Sequence, residues 1–341
     1  MRWQEKYRDK LRTPEEAAKL VKSRDRVVVG FMLHPKTLCM ALANRKDDLE
    51  NVTLMSHWVE DFPWFQPGWE SSFQVQTGFV TQPTREGHRD RRLDYAPSVF
   101  GLSDGLRHKE SGRGKLYSDA DVFLVKVGPP NEDGWCSFGH HVWYSPVAIQ
   151  SARTVIAEVC PNLVWTDGDH VHVSDLDYLV EGPTWENVGE ESIPSPPPEE
   201  AKMSRVIGTH VAELIRDGDT LEIGTGSASE AAMEFFHTKN DLGIDTEMMY
   251  VQMIELVRAG VITGRRNNIH PEKHFATSLW TYRGDPRVPP ALDYMNHNPA
   301  FNLYDVSYMT NVPRIASVDN MVSINNAIGI DLHGQATISH I

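Results

Sequence analysis

The chain has 341 residues, more than one hydrophobic core usually supports, so two α/β domains are expected. Its 33 basic and 47 acidic residues give a formal net charge of −14, which disfavours nonspecific binding to nucleic acid or anionic lipid. The sequence contains no stretch apolar enough for a membrane span, and its charged amino terminus does not resemble a secretory signal; we therefore expect a cytoplasmic protein.

The first half of the chain shows the pattern of a parallel α/β sheet. Thr13-Pro-Glu-Glu is a capping box with proline at the first helical position. Residues 26–31 form a β-branched run that predicts a strand, and residues 35–45 resume helical spacing. Residues 121–127 and 154–159 are mostly apolar, as is typical of strands in a sheet that is covered on both faces.

A proline-dense acidic stretch, residues 183–200, predicts a linker between a domain of residues 1–182 and a second domain of residues 201–341. A helix is expected over 199–216, followed by an Asp-Gly-Asp turn and a strand over 220–223. A similar order of helix, aspartate turn, strand and glycine precedes Gly30 in the first half, which makes a weak internal repeat. The prediction is two tandem open α/β domains of similar fold with mostly parallel sheets.

The glycine turn after this predicted strand is a candidate anion-binding loop. Gly224-Thr225-Gly226 precedes Ser227-Ala-Ser-Glu, which has the pattern of a capping box, so the amides of a helix N-terminus would point outward. Such a loop can hold a phosphate or an oxyanion. The pattern lacks the third glycine of a dinucleotide fingerprint and the Lys-Ser/Thr pair of a P-loop. From the pattern alone, a tight strand-to-helix turn without further function is the simpler alternative.

Glu247 is a candidate nucleophile. It follows a turn at Gly243 and precedes a predicted helix over 250–259, which Gly260 would terminate. Capping of that helix is the simpler interpretation from spacing alone, because carboxylate catalysis also needs an acyl substrate and a shielded site.

Other clusters of reactive residues give weaker indications of a functional site. His140-His141 and the run Asp-Gly-Asp-His-Val-His over 167–172 resemble metal-ligand clusters, but adjacent histidines on a strand point to opposite faces. We therefore predict no metal site. The chain contains no GxSxG elbow for a nucleophilic serine. The scattered cysteines favour buried, reduced thiols: Cys39, Cys136 and Cys160.

Long runs in both halves carry a family resemblance. Residues 127–139, VGPPNEDGWCSFG, are similar to the pattern SPPDxxGYxSLG, and residues 157–177 are similar to AEVNPNMPxTxGDxxIHVSxID. Residues 221–226 are similar to LQLGIG, residues 242–248 to LGIHTEM, and residues 319–335 to DNMVAINSAIEVDLTGQ. These patterns are those of the acetyl-CoA hydrolase/4-hydroxybutyrate CoA-transferase group of the family I coenzyme A transferases, and the resemblance covers nearly the whole chain.

The resemblance implies an active site between the two domains and a ping-pong CoA transfer between an acyl-CoA and a carboxylic acid. Glu247 would be the nucleophile and would pass through a glutamyl-CoA thioester. Coenzyme A and acyl-CoA would be substrates, with no permanently bound cofactor. His34 and His140 would face the acyl group, with His140 standing where the family has small or aliphatic residues. The residues implied along the CoA side of the cleft are Gly224, Thr225, Gly226, Ser227, Ala228 and Asn325.

This chain departs from the family pattern in three places. Tyr-Val-Gln at 250–252 replaces the serine, aspartate and glycine after the nucleophile, and Gly329 replaces a glutamate. The family's glycine-rich GGxGDF segment is not found, so we expect a second polypeptide to complete the second domain, a homo-oligomer, or both. The alternatives to a transferase are an acyl-CoA hydrolase or lyase on the same scaffold, and a catalytically silent subunit.

Overall fold

The computed structural model describes residues 2–96, 120–186, 197–282 and 284–337. The helices of the first half are α1 (Trp3–Lys6), α2 (Pro14–Ala18), α3 (Lys36–Ala43), α4 (Arg85–Arg89) and α5 (Ser145–Ser151). Its strands are β1 (Leu11–Arg12), β2 (Arg26–Val29), β3 (Val52–Ser56), β4 (Phe73–Thr77), β5 (Asp94–Tyr95), β6 (Val122–Val127), β7 (Trp135–Ser137), β8 (Thr154–Val159), β9 (Asp167–Gly168), β10 (His170–His172) and β11 (Tyr178–Glu181).

The second half follows with longer helices and shorter strands. Its helices are α6 (Pro198–Leu214), α7 (Ser227–Ala232), α8 (Val251–Arg258), α9 (Val288–Met295), α10 (Val306–Met309) and α11 (Val312–Ala316). Its strands are β12 (Thr220–Ile223), β13 (Gly243–Asp245), β14 (Met248–Tyr250), β15 (His274–Ala276), β16 (Ser278–Trp280), β17 (Phe301–Leu303), β18 (Met321–Ile324), β19 (Gly329–Ile330) and β20 (Ala336–Thr337).

Two parallel sheets organise the molecule. The first has the order β1-β11-β8-β6-β2-β3-β4-β5, and the second has the order β18-β12-β13-β15-β17-β9. All neighbouring strands within these two sheets are parallel. The smaller pairs are β7 with β10 and β19 with β20, both antiparallel, and β14 with β16, which is parallel. The predicted α/β class with mostly parallel sheets is confirmed.

The weak internal repeat has matching hydrogen bonds in the two sheets. Asp25 Oδ2 accepts from the Lys22 amide at 2.8 Å, and Asp219 Oδ2 accepts from the Arg216 amide at 2.7 Å. In both turns the aspartate closes the connection to the strand that follows, β2 or β12. Both strands lie inside their sheets, and each is followed by a glycine and then by a helix. The sequence repeat therefore corresponds to a repeated local structure.

The two halves share one hydrophobic core. Buried Phe123 of the first sheet and Trp143, which lies between β7 and α5, belong to the same cluster as Met249 and Phe236 of the second half. A second cluster packs against the first sheet and includes Trp58. Strand β9 extends the second sheet although it belongs to the first half of the sequence, since Leu303 pairs with its glycine. The elements that carry the site are therefore held between two connected layers.

Several sequence predictions can be compared with these elements. The capping box at Thr13 is confirmed, because its Oγ1 accepts from the Glu16 amide at 3.2 Å and Glu16 Oε2 accepts from the Thr13 amide at 2.9 Å. The strand predicted over 220–223 is confirmed residue for residue. Most of the predicted linker, residues 187–196, lies outside the described residues, and α6 begins at Pro198. The domain boundaries stay a prediction. Over the described ranges, every helix is too short or too polar to cross a membrane.

Candidate active site

Three parallel strands of the second sheet end side by side at the candidate site. Asn325 follows β18, Gly224 follows β12, and Glu247 comes two residues after β13. The Gly224 amide donates to the last carbonyl of β18 at 2.8 Å, and the Ile223 amide donates to Thr246 Oγ1 at 3.2 Å. The register therefore places the asparagine, the glycine and the glutamate in one row. The carboxyl ends of parallel strands are where such sheets commonly bind ligands.

Gly224 makes room in the middle of this row for the side chain of Asn325. A Cβ atom built on it would lie 1.9 Å from Asn325 Oδ1, far below any normal contact. The Asn325 carboxamide therefore occupies the space above the glycine. Its Nδ2 donates to Glu222 Oε2 and to Ser323 Oγ, both at 2.8 Å. The chain needs glycine at 224 because another side chain already fills this space.

The second glycine of the loop has a different requirement. Gly226 has φ +140°, and a Cβ atom there would lie 2.1 Å from Asn326 Nδ2. Asn326 Nδ2 donates to the Thr225 carbonyl at 2.8 Å and to Ser229 Oγ at 2.7 Å. Asn326 thus fixes the loop from the neighbouring strand end. Sequence reasoning missed this residue, although two consecutive asparagines after an edge strand were a visible signal.

The capping box predicted at Ser227 is wrong. Helix α7 begins at Ser227 itself, and its N-cap is Gly226, without a side-chain cap. Ser229 Oγ instead donates to the carbonyls of Gly224 at 2.6 Å and Gly226 at 3.0 Å. Ser227 Oγ accepts from Ser204 Oγ of α6 at 3.1 Å. Ser229 is hydrogen-bonded to the loop and Ser227 to α6, so these two serines hold the loop in place. The CoA-binding roles of the five loop residues remain predictions.

Glu247 lies in an environment that disfavours its charge. Burial, and then the negative charge of Glu222, raise the pKa of Glu247 from 4.5 to about 7. Its carbonyl accepts from the Thr277 amide at 2.9 Å, which ties the nucleophile candidate to the segment between β15 and β16. A carboxyl group whose pKa is raised to near neutrality by a defined physical cause is a candidate acid, base or nucleophile. Glu222, which sequence reasoning missed, supplies part of that cause.

Two tyrosines line the same region. Tyr250, the residue in place of the family serine, is buried on β14, and burial, followed by the charge of Glu230, raises its pKa above its usual range. Tyr282 Oη donates to Glu230 Oε1 at 2.7 Å and to Oε2 at 2.8 Å. Burial, followed by the charge of Glu230, also raises the pKa of Tyr282 above its usual range. Both phenols are therefore neutral at physiological pH, and the phenol of Tyr282 donates to Glu230.

His34 is fully buried after β2, in the first half. Its Nδ1 lies 3.6 Å from Glu60 Oε1, and its ring stacks on Trp58 at 5.4 Å between centroids. Lys36 Nζ lies 3.0 Å from Glu60 Oε2. Burial opposes ionisation of Glu60, but the hydrogen bond and charge of His34, with those of Lys36, lower its pKa to about 2. His34 therefore belongs to a buried polar cluster.

The His140-His141 segment connects this cluster to the second half. The two imidazole rings are 4.4 Å apart, and the His140 carbonyl accepts from the Leu279 amide at 2.8 Å. The Val142 amide donates to the Thr277 carbonyl at 3.0 Å. Burial, and then the charge of His34, lower the pKa of His141 to about 3. The segment carrying His140 thus lies beside Thr277, whose amide bonds to Glu247.

Metal-ligand types do not converge elsewhere in the part of the chain that the structure describes: three or more His, Cys, Asp or Glu side chains are nowhere arranged to hold an ion. The His140-His141 pair contributes only two ligands. The three cysteines are buried free thiols, as the sequence predicts. The buried carboxyl group of Glu247 and its surroundings are therefore the feature to compare with known proteins.

The comparisons define the class of this protein and then its family. The N-terminal domain model of acetyl-CoA hydrolase/transferase matches residues 1–186, and the corresponding C-terminal domain model matches residues 290–341. The chain is 35% identical over 340 residues to a 4-hydroxybutyrate coenzyme A transferase of Clostridium kluyveri, covering 98% of this chain and 75% of that protein. The chain belongs to the acetyl-CoA hydrolase/transferase family, which confirms the resemblance seen in its motifs.

Further relatives agree in sequence and in fold. A succinyl-CoA:cyclohexane-1-carboxylate CoA transferase of Geobacter metallireducens is 30% identical over 338 residues, which are 98% of this chain and 72% of the relative. The crystal structure of RipA from Yersinia pestis has a TM-score of 0.84 at 27% identity and covers 100% of this chain and 77% of its own. A 4-hydroxybutyrate CoA-transferase of Porphyromonas gingivalis has a TM-score of 0.75 at 28% identity, covering 98% and 77%.

Proposed function

We propose that this protein transfers CoA between an acyl-CoA and a carboxylic acid, with Glu247 as the covalent nucleophile. The position of Glu247 carries the proposal: it stands at the strand ends beside a fixed glycine loop, and its pKa is about 7. The relatives from Clostridium kluyveri and Geobacter metallireducens are named CoA transferases, which supports CoA transfer as the general activity. The mechanism follows from carboxylate chemistry.

The reaction would proceed in two symmetrical halves. A Glu247 carboxylate oxygen attacks the thioester carbonyl carbon, the C–S bond breaks, and CoA thiolate leaves an acyl-glutamyl anhydride. The thiolate then attacks the Glu247 carbonyl carbon, which releases the first carboxylate and forms a glutamyl-CoA thioester. An acceptor carboxylate attacks that thioester, expels the thiolate and forms a second acyl-glutamyl anhydride. The thiolate then attacks the acyl carbonyl carbon of this anhydride and forms the new acyl-CoA. Glu247 is regenerated as a carboxylate, and no net proton is consumed.

The remaining predicted residues would bind and shield the intermediates. Gly224, Thr225, Gly226, Ser227 and Ala228, with Asn325, would lie along the CoA arm, and loop amides would stabilise developing negative charge. His34 and His140 would contact the acyl group from the first half. Water must be excluded from the glutamyl thioester, because its hydrolysis would convert transfer into net acyl-CoA hydrolysis.

Covalent trapping tests the proposal. Purified protein is incubated with acetyl-CoA, then treated with borohydride or hydroxylamine, and its peptides are analysed by mass spectrometry. We expect a tag at Glu247 that is absent from Glu247→Gln and present in Glu213→Gln, an exposed glutamate on α6. Butyrate, 4-hydroxybutyrate and succinate are the first acceptors to assay. Turnover that needs no acceptor would identify a hydrolase or lyase, and neither tag nor turnover would identify a silent subunit.

The predicted second polypeptide has support from exposed apolar residues. Ile328, Ile330 and Leu332 are 57%, 74% and 105% exposed, and β18 is an edge strand of the second sheet. Surfaces of this kind commonly meet another protein surface. Native mass spectrometry of protein purified from its source would show whether a second chain, a second copy or neither is bound. The cytoplasmic location stays a prediction, which cell fractionation would test.

A further inference from the structure

Glu222 lies in the middle of the candidate site. It stands on β12 two residues before Gly224, so both positions face the same side of the sheet. On the neighbouring strand its register partner is Ser323, and Asn325 follows two residues later on the same side. Glu222, Ser323 and Asn325 therefore form one polar group beside the row that contains Glu247.

Hydrogen bonds fix the orientation of the Asn325 carboxamide. Glu222 Oε2 accepts from Asn325 Nδ2 at 2.8 Å and also from the Ser323 hydroxyl. An ionised carboxylate has only acceptor atoms, so it can face the amide nitrogen of Asn325 but not its oxygen. A flipped carboxamide would set Oδ1 against the negative charge of Glu222. The carboxylate thus settles which way the amide points.

The consequence is a defined direction for Asn325 Oδ1. This atom lies 1.9 Å from where a Cβ atom of residue 224 would be, directly above the glycine. Glu247 comes two residues after the adjacent strand β13, on the other side of that glycine. The oxygen is therefore held as a hydrogen-bond acceptor over Gly224, in the middle of the row.

Glu222 also acts on Glu247 through its charge. Among the groups around Glu247, Glu222 on β12 is the one whose charge adds to burial in raising the Glu247 pKa to about 7. Tyr250 on β14 is neutral, and the charge of Glu230 on α7 acts on Tyr250. A single neighbouring carboxylate is therefore responsible for the electrostatic part of the effect.

We infer that Glu222 is a positioning residue of this site, which holds the Asn325 carboxamide with its oxygen over Gly224 and keeps a negative charge beside Glu247. The inference rests on the proposed function, because the acceptor would serve an amide N–H of the pantetheine arm of CoA. It assigns to Glu222 two separable effects, one on the affinity for CoA and one on the ionisation of Glu247.

Two substitutions separate these effects. Glu222→Gln removes the charge and keeps an oxygen that can accept from Asn325 Nδ2, although its NH2 group also permits the flipped carboxamide, whereas Glu222→Ala removes both the charge and the acceptor. We expect the titration midpoint of Glu247 to fall below that of the unmodified protein in both variants. We expect the Kd for CoA to rise by about twofold at most in Glu222→Gln, because about half of the carboxamides keep the original direction. In Glu222→Ala it should rise about five- to twelvefold, the value of one hydrogen bond of about 1–1.5 kcal/mol.

The measurements need no turnover. Protein labelled with ¹³C at the glutamate side-chain carboxyl is titrated by NMR, with the Glu247 signal identified by its loss in Glu247→Gln, and CoA binding is measured by isothermal titration calorimetry. Glu213→Gln on α6 is the matched control for loss of an acidic side chain. Thermal unfolding of each variant reports whether the fold is retained, and Glu222→Gln preserves the hydrogen bond if alanine is not tolerated.

The outcomes distinguish this inference from the proposed function. An unchanged Glu247 midpoint in Glu222→Gln, or equal loss of CoA affinity in both variants, would overturn the positioning role. If the midpoint and the affinities change as expected but no Glu247 tag forms with acyl-CoA, the proposed transfer reaction fails while the role of Glu222 stands.

Discussion

Replacing Gly224 by alanine should weaken CoA binding without unfolding the protein. The new methyl group would lie 1.9 Å from Asn325 Oδ1 and 2.9 Å from its Cγ, whereas real Cβ atoms essentially never approach closer than 3.0 Å. The carboxamide must therefore move by more than 1 Å. That movement breaks its 2.8 Å hydrogen bonds to Glu222 and Ser323, which define its direction.

The magnitude follows from where Asn325 lies. Its side chain is exposed, so water can replace both lost bonds, and we expect the free energy of unfolding to fall by less than about 1 kcal/mol. The ligand loses one oriented acceptor, which is worth about 1–1.5 kcal/mol, or about five- to twelvefold in Kd for CoA. Binding should therefore change more than stability.

Calorimetric titration with CoA and urea unfolding measure the two quantities. Gly329→Ala is the matched control, because no atom lies within 4 Å of its added Cβ. Wild-type CoA affinity in Gly224→Ala would refute the reasoning, since the Asn325 oxygen would then have no role in binding. A loss of stability above about 3 kcal/mol would refute it differently, by showing that the contact supports the fold.

Three further predictions concern charged groups. The kcat/KM for acyl-CoA should rise about tenfold from pH 6 to pH 8, because an attacking Glu247 with a pKa of about 7 must be ionised; a flat profile would contradict this. Arg314→Leu should lower the free energy of unfolding in urea by about 3–5 kcal/mol, because buried Asp245 loses two 2.7 Å bonds; a loss below 1 kcal/mol would show that water reaches the carboxylate. Tyr282→Phe should lower the free energy of unfolding by about 1–2 kcal/mol, because it removes the hydrogen-bond donor to Glu230. An unchanged midpoint of urea unfolding would argue against that bond.

The sequence predicted those features that depend on local pattern. The capping box at Thr13 and the strand over 220–223 each rest on residues within a few positions, and both are confirmed. The capping box at Ser227 has the same local pattern but is wrong, because Ser229 bonds to loop carbonyls and Gly226 takes the N-cap position. A tight glycine turn changes which serine oxygen reaches which backbone group, and the pattern alone does not contain that geometry.

The polar environment of Glu247 depends on contacts that are distant in sequence. Glu222 and Asn325 are 103 positions apart, yet parallel pairing of β12 with β18 joins their side chains. The family motif identified Glu247 itself, but it contains glutamine where this chain has Glu222. Only the strand order shows that this added carboxylate stands beside the nucleophile candidate and changes its pKa.

The backbone around Glu247 also links the two halves of the chain. The Thr277 amide bonds to Glu247 at 2.9 Å, and the Thr277 carbonyl accepts from Val142 at 3.0 Å, next to the buried His140-His141 pair. A substitution that repacks these histidines would therefore act on the backbone that supports Glu247, because packed interiors transmit small displacements. It follows that changes in the proposed acyl pocket and in nucleophile geometry are coupled. A substitution that changes the substrate preference at this pocket should consequently alter kcat as well as KM.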